Sequence, residues 1–298
     1  MTLHQQIFQV LDQPMIVLKQ RNGEVLIEDA NPAFLDLIGY SLSYLKAKEG
    51  RELAERFNID LSKRILKSEI RIRTKAKVQL CLRIEQLPLP QMPEEDCRRA
   101  LIIAEDLTAY NWIQQQVERG KVLMSGMIDK HLHIRILRDS LAPLLLEPEQ
   151  TMEDETLLQF IAENERERIV GLMEEACLRF EEKNITLHTS KLSGIELELN
   201  LTFSPIRNGS GKCNIMAFVI WDFRPVSEES IDPSMKLKIW MAKRDISAGQ
   251  LSQATGISLQ TISKLRNGKI NKPQRLTAEL IASELDIDMN EIWPETRK

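Results

Sequence analysis

The chain has 298 residues, 43% hydrophobic and 28% charged, and a formal net charge of −4, values ordinary for folded globular protein and a length suited to two or three domains. No apolar run approaches a membrane span, and the opening MTLHQQIF lacks the basic and long apolar regions of a signal peptide. Cys81, Cys97, Cys177 and Cys213 form no CxxC and no Cys/His metal spacing, so they read as reduced thiols of a cytoplasmic protein.

Residues Pro14–Lys19 and Glu24–Asp29 are short apolar runs around Gln20-Arg21-Asn22-Gly23, which predicts a hairpin. Asn31-Pro32 then starts a helix, AFLDLIG, with Asn31 as N-cap and Pro32 in the first turn. A charged helical zone is expected over Arg51–Lys67, followed by strands at Glu69–Thr74, Lys77–Gln86 and Arg99–Asp106. Val78, Leu80, Leu82 and Ile84 alternate with Gln79, Cys81, Arg83 and Glu85, so the middle strand should bury one face.

This order, with DANPAFLDLIGYS and a closing AEDLT, resembles a PAS domain. Asp106-Leu107-Thr108 is similar to the family's Asp-Ile-Thr exit motif, which implies coupling of the last strand to an output helix. Thr108–Lys121 has Trp112, Ile113 and Val117 close together on one helical side, fitting either a spacer or a dimer seam. A second stretch repeats the plan: strands at Met127–Asp129 and Leu132–Leu137, a short helix at Ser140–Leu146, and a long helix at Phe160–Phe180. Strands at Ile185–Leu192, Glu196–Pro205 and Lys212–Asp222 close it, with Ile206-Arg207-Asn208-Gly209 marking the last hairpin.

The resemblance implies a small apolar cavity between sheet and helices, which in different relatives holds haem, flavin, a small metabolite or nothing. No GxNCRFLQ-like helix supplies a flavin-reactive cysteine. Haem calls for an axial ligand, usually His. Of His4, His131, His133 and His188, the last is best placed to face a pocket, yet a surface or satisfied polar histidine is the commoner role. Cys177 reads as core rather than redox sensor. The cofactor is therefore unknown, with none, a small ligand and haem all open; no metal or catalytic site is assigned.

Pro225–Pro233 reads as a flexible joint. Beyond it, Ile246–Gly268 (ISAGQLSQATGISLQTISKLRNG) has the spacing of a helix-turn-helix. Ser247 is an N-cap, Leu251 and Ala254 give the first helix an apolar side, and Gly256 can take the left-handed conformation that ends it. Ser258 caps a second helix, in which Ile262 and Leu265 face inward while Leu259, Gln260, Thr261 and Lys264 lie towards the exposed side. The stretch Ser234–Pro294 resembles the lambda-repressor/Cro-like (XRE) family over five helices: Met235–Lys243 as helix one, Pro273–Ile287 as helix four, Met289–Trp293 as the last. That resemblance implies base reading from Ser258, Leu259, Gln260, Thr261 and Lys264, and a post-recognition loop over Asn267 and Lys269. Where the family often pairs an Arg on helix one with a Glu after the recognition helix, this chain has Met241 and Arg266. A phosphate-contacting Gln is replaced by Ala248, with Lys243, Lys269, Lys272 and Arg275 as substitutes.

Residues Ser234–Lys298 carry about +4 and the remainder about −8, a basic module on an acidic body. So small a surplus favours a homodimer on two half-sites. The expected fold class is α+β: two PAS-like domains (antiparallel sheets with flanking helices), then an all-α five-helix Cro/repressor-like domain. The expected boundaries are 1–110, a helical linker 111–123, 124–224, a flexible linker 225–233, and 234–298. The function read from this is a cytoplasmic, non-enzymatic transcriptional regulator. Its PAS domains would sense a signal or dimerise, with a small molecule or protein as partner, and its helix-turn-helix would bind a double-stranded operator. An enzyme is disfavoured because no G-x-x-x-x-G-K-[ST] loop or kinase-like His motif occurs. The alternative is a PAS-based adaptor whose helix-turn-helix fold is only a scaffold.

Overall fold

A computed structural model describes residues 3–47, 61, 63–91, 97–139, 156–191, 195–227 and 231–297. The chain divides into two compact units, Met1–Trp112 with Pro205–Ile215, and Ile113–Ser204 with Met216–Lys298.

The first unit opens with helix α1 (Leu3–Val10), then strands β1 (Met15–Arg21) and β2 (Glu24–Ala30). Arg21 pairs with Glu24, and Asn22 and Gly23 between them sit at φ 53° and 84°, the positive pair that a two-residue hairpin turn requires. Helix α2 (Pro32–Ile38) starts where the sequence places it, and α3 (Leu42–Lys46) follows with Ser41 as N-cap. Asn31 is fully buried and its side chain makes four hydrogen bonds. Its Oδ1 accepts from Met15 N (2.9 Å) and Phe34 N (3.0 Å), and its Nδ2 donates to Leu11 O (3.1 Å) and Gln13 O (2.8 Å). One side chain thus caps the helix and ties the first strand to the segment before it.

Strands β3 (Ile65–Arg73), β4 (Gln79–Pro88) and β5 (Arg98–Asp106) complete a five-stranded sheet in the order β2-β1-β5-β4-β3. The alternation read in β4 holds: Leu80, Leu82 and Ile84 are buried against Phe34, Ile38 and Leu45. Residues 51–60 and 62 of the expected charged helix lie outside the described residues, and its end, Ile65–Lys67, is the start of β3. Asp106 Oδ1 accepts from the backbone (2.9 Å) and hydroxyl (2.5 Å) of Thr108, opening helix α4 (Thr108–Arg119) directly after β5. Burial raises the Asp106 carboxyl above its ordinary value despite these two bonds.

The second sheet has the corresponding order, β7-β6-β10-β9-β8. Its strands are β6 (Met124–Asp129), β7 (Ile134–Asp139), β8 (Lys183–His188), β9 (Leu197–Arg207) and β10 (Cys213–Pro225). The expected helix at Ser140–Leu146 lies outside the described residues. The helix expected over Phe160–Phe180 is divided: a short α5 (Leu157–Phe160), a 3₁₀ turn at Glu163–Glu165, and α6 (Arg166–Arg179). The break arises because Ile161 leaves the helix to bridge Thr189, while Phe160 O accepts from Ser190 N at 2.9 Å. Phe180, at φ 54°, ends α6 in the left-handed conformation.

In α4, Ile113 and Gln116 are buried and Gln116 Nε2 reaches Glu182 Oε2 at 3.5 Å, so that side of the helix is covered within its own chain. Cys81 and Cys97 remain thiols, but Cys177 and Cys213 are each disulfide-bonded, which corrects the reading of four thiols. A disulfide depends on Cβ geometry in the folded chain, which spacing along the sequence does not encode.

The C-terminal bundle comprises α7 (Pro233–Arg244), α8 (Ala248–Thr255), α9 (Leu259–Arg266), α10 (Arg275–Glu284) and a closing 3₁₀ turn at Met289–Glu291. Four α-helices and that turn therefore stand where five helices were expected. The core joins Leu237, Met241, Leu251, Ile262, Leu265, Ala278, Ile281, Leu285, Ile292 and Trp293, all at most 4% exposed. Among the described residues no helix is long and apolar enough to cross a membrane.

Candidate nucleic-acid interface and internal cavity

Three caps fix the two central helices of the bundle. Ser247 and Gln250 form a reciprocal capping box at the start of α8, Gly256 ends it at φ 71°, and Ser258 caps α9. Ser258 Oγ lies 3.2 Å from Thr261 N and 2.9 Å from Thr261 Oγ1. Ile262 and Leu265 then point into the core and leave Leu259, Gln260 and Lys264 exposed, with Thr261 half-buried. Ala254, expected on the apolar side of α8, is exposed; Ala248 takes that place, packing against the core.

The expected backbone anchors divide into two kinds. Lys269 is exposed in the loop after α9, and Asn267 closes that helix with Nδ2 at 3.4 Å from Ser263 Oγ. Lys272 is paired with Glu295 and Arg275 with Glu279 (2.7 Å), though both cations keep more than half of their side chains exposed. The pairing draws Glu295 below the usual carboxylate range. Lys243 faces Asp222 Oδ1 at 3.4 Å.

At the positions where Met241 and Arg266 stand, Met241 is buried in the core. The Arg266 Nε is buried without a hydrogen-bond partner among the described residues. The tie between helix one and the rest of the bundle comes from a residue that sequence reasoning missed. Arg244 donates from Nε to Leu285 O (2.7 Å), and from Nη2 to Asp286 O (2.9 Å) and Asp286 Oδ2 (3.0 Å). An Arg in the last turn of α7 was visible in the sequence; its carbonyl partners at the end of α10 were not.

The second sheet encloses a cavity of about 70 Å³ with α5 and α6. Ile128, Phe160, Ile169, Met173, Phe218 and Ile220 line it, and its one hydroxyl, Thr189 Oγ1, accepts from Leu197 N at 3.0 Å. Among the described residues no histidine, cysteine or charged side chain lines it. None of these described residues supplies the axial ligand or the propionate cations that a haem calls for, or a thiol for a flavin.

His188 sits beside the cavity wall. Its Nδ1 lies 2.8 Å from Glu165 Oε1 and its Nε2 3.5 Å from Glu198 Oε2, while its own N–H donates to Glu165 Oε2 at 3.0 Å. The bond to Glu165 raises the imidazole above its ordinary pKa against a smaller opposing effect of burial, and both carboxylates add to the rise. For Glu165, burial pulls upward, but the His188 and Arg168 bonds outweigh it and leave the carboxyl lowered. His188 is thus a satisfied polar side chain holding the 3₁₀ turn to β8. His131 and His133 are exposed in the β6–β7 turn, with His133 Nδ1 at 3.4 Å from Asp129 Oδ2.

Comparison with known families matches residues 236–293 to the Cro/C1-type HTH DNA-binding domain and residues 2–73 to the PAS domain. Neither is a catalytic family. Solved structures similar to the chain include the LOV domain of the Erythrobacter litoralis EL346 blue-light activated histidine kinase. It is 17% identical, over 33% of this chain and 97% of that one, with a TM-score of 0.27. A PAS domain from Colwellia psychrerythraea is 16% identical over 35% and 94% of the two chains, with a TM-score of 0.28. The PAS domain of Bordetella pertussis BvgS is 13% identical over 39% and 92%, with a TM-score of 0.27. No curated protein matches.

Proposed function

We propose that this chain is a cytoplasmic, sequence-specific DNA-binding regulator that acts as a homodimer on a double-stranded operator. Its domains would be 1–110 and 124–224, both PAS-like, and 234–298, the DNA reader. The observation that carries the reading is α9: a helix capped by Ser258, anchored by Ile262 and Leu265, that exposes Leu259, Gln260 and Lys264. A scaffold would not need a polar and cationic outer face there. Ser258, Thr261, Asn267, Lys269, Lys272 and Arg275 complete the proposed contact set.

The signal would enter at the second sheet as a small apolar molecule, because the described lining of the cavity offers dispersion contacts and, among those residues, no charge or free donor. For pairing, α4 is a poor seam, since Ile113 is already buried. Helix α1 has no charged residue and, with Leu11 just after it, leaves Leu3, Ile7 and Val10 exposed, which suits the same helix of a second copy.

The test is selection of duplexes from a random pool, followed by binding of Gln260→Ala. A Gln at the start of a recognition helix can donate to and accept from one adenine edge, so its loss should cost roughly 1–3 kcal/mol on the selected site and relax one base position. Equal weakening on selected and random duplex would overturn this role.

A further inference from the structure

Strand β10 carries two kinds of neighbour. Its Phe218 and Ile220 line the cavity. Further along, Asp222 Oδ1 faces Lys243 Nζ of α7 at 3.4 Å, and that ammonium lies 5.4 Å from the Phe223 ring centre and 5.6 Å from that of Trp240. The carbonyl of Lys243 accepts from Lys121 Nζ at 2.7 Å, and Lys121 lies two residues beyond the end of α4. Two residues on, Leu123 N donates to Ile220 O at 2.9 Å. The last turn of helix one is therefore held from β10 and from the segment after α4. The adjacent Arg244 turns the other way, into the bundle, so neighbouring cations at one helix end serve different partners.

We propose that Lys243 is a clasp with two alternative anions: the Asp222 carboxylate, which parks the DNA-binding bundle on the second sheet, and a DNA phosphate once the bundle is released. The proposal rests on the DNA-binding reading above. The Asp222 side chain is 64% exposed and that of Lys243 25% exposed, so the pair is solvent-screened, and each cation–ring contact adds little. Weakness is what the device needs. A parked state only slightly preferred over the free one is shifted by a small change in either partner, whereas a strong clasp would not open. Because Phe218 and Ile220 belong to the strand that carries Asp222, an occupant of the cavity bears directly on the parked state. Release returns one cation to the surface of a module whose charge surplus is small, which strengthens its hold on any duplex.

The experiment uses full-length protein as Asp222→Asn, Lys243→Gln, the double variant, and the charge exchange Asp222→Lys/Lys243→Asp. Without DNA, amide exchange in the last turn of α7 should quicken at least threefold in each single variant, go no further in the double, and slow again in the exchanged pair. With random duplex, Asp222→Asn should steepen the salt dependence by about one counterion, and that effect should vanish in the Lys243→Gln background. A steepening that persists there would mean that one negative charge less, not a freed lysine, is responsible, and would overturn the proposal. Unchanged exchange with intact DNA binding would overturn the clasp alone. Faster exchange with no DNA binding by any form would overturn the phosphate half together with the DNA-binding reading.

Discussion

Arg244→Met tests what holds helix one to the rest of the bundle. The substitution keeps an aliphatic stem of similar reach and removes three hydrogen bonds, at 2.7, 2.9 and 3.0 Å. They are unequal. The ion pair with Asp286 is solvated, its carboxylate side chain being 89% exposed, and contributes about 0.5 kcal/mol or less. The bond to Leu285 O satisfies a carbonyl on a fully buried residue at the end of α10, where a cation also meets the negative end of the helix, and is worth about 1.5 kcal/mol. With the exposed bond to Asp286 O, the total is about 2 kcal/mol. In a module of this size that lowers the melting temperature by roughly 10 °C. Calorimetry of the full chain should show the transition that carries DNA binding moving by that amount, with any other transition unmoved. Arg244→Lys should recover less than half, since an ammonium cannot span two carbonyls. A melting temperature within about 2 °C of the parent for Arg244→Met would refute the reasoning.

Neutralising Lys264 and Lys269 together should lower the salt slope of duplex binding by about 2, while neutralising Lys272 and Arg275, which must first leave Glu295 and Glu279, should lower it by less; anisotropy titrations across a salt series compare the two, and equal slopes would count against the distinction. His188 is raised and Glu165 lowered, so the histidine's contribution to stability is full below about pH 6.5 and is lost as pH climbs through its raised value. That of the glutamate is present above about pH 4.3 and is lost as pH falls through its lowered value. His188→Gln should flatten the alkaline side of the stability curve, and parallel curves for the two proteins would show that the staple does not titrate. Asn31→Ala removes four buried or half-buried hydrogen bonds and should cost about 3 kcal/mol by urea unfolding; a cost below about 1 kcal/mol would mean that water replaces the side chain.

The features legible in the sequence were those written in neighbouring residues. Asn22-Gly23, the cap at Asn31, the burial of Leu80, Leu82 and Ile84 in β4 and the caps of α8 and α9 each depend on side chains a few positions apart, and the structure places these as read, while Val78 is only half-buried and Ala254 is exposed. What was missed depends on residues far apart in the chain. The helix expected from Phe160 breaks because Ile161 finds a partner at Thr189. Arg244 has no role in the sequence reading, because its acceptors lie far along the chain at Leu285 and Asp286. Lys243 was offered to phosphate because nothing in its neighbourhood along the chain points to Asp222. Periodicity shows which face is buried; it does not show against what.

The strand order of both sheets has a consequence for how the chain acquires its structure. In each, the last strand made is the central one: β5 lies between β1 and β4, and β10 between β6 and β9. Ile16 therefore waits for Ile102 before its strand has its inner partner. Loop closure over that length must precede most of the pairing that rewards it, which places these sheets among slow-folding, non-local topologies. During synthesis the β1–β2 hairpin emerges early and stays a two-stranded ribbon, marginal in water, until β5 has left the ribosome. A truncation just before Arg98 removes the middle of the first sheet rather than its edge and leaves β1 and β4 each with an open flank, a template for aggregation.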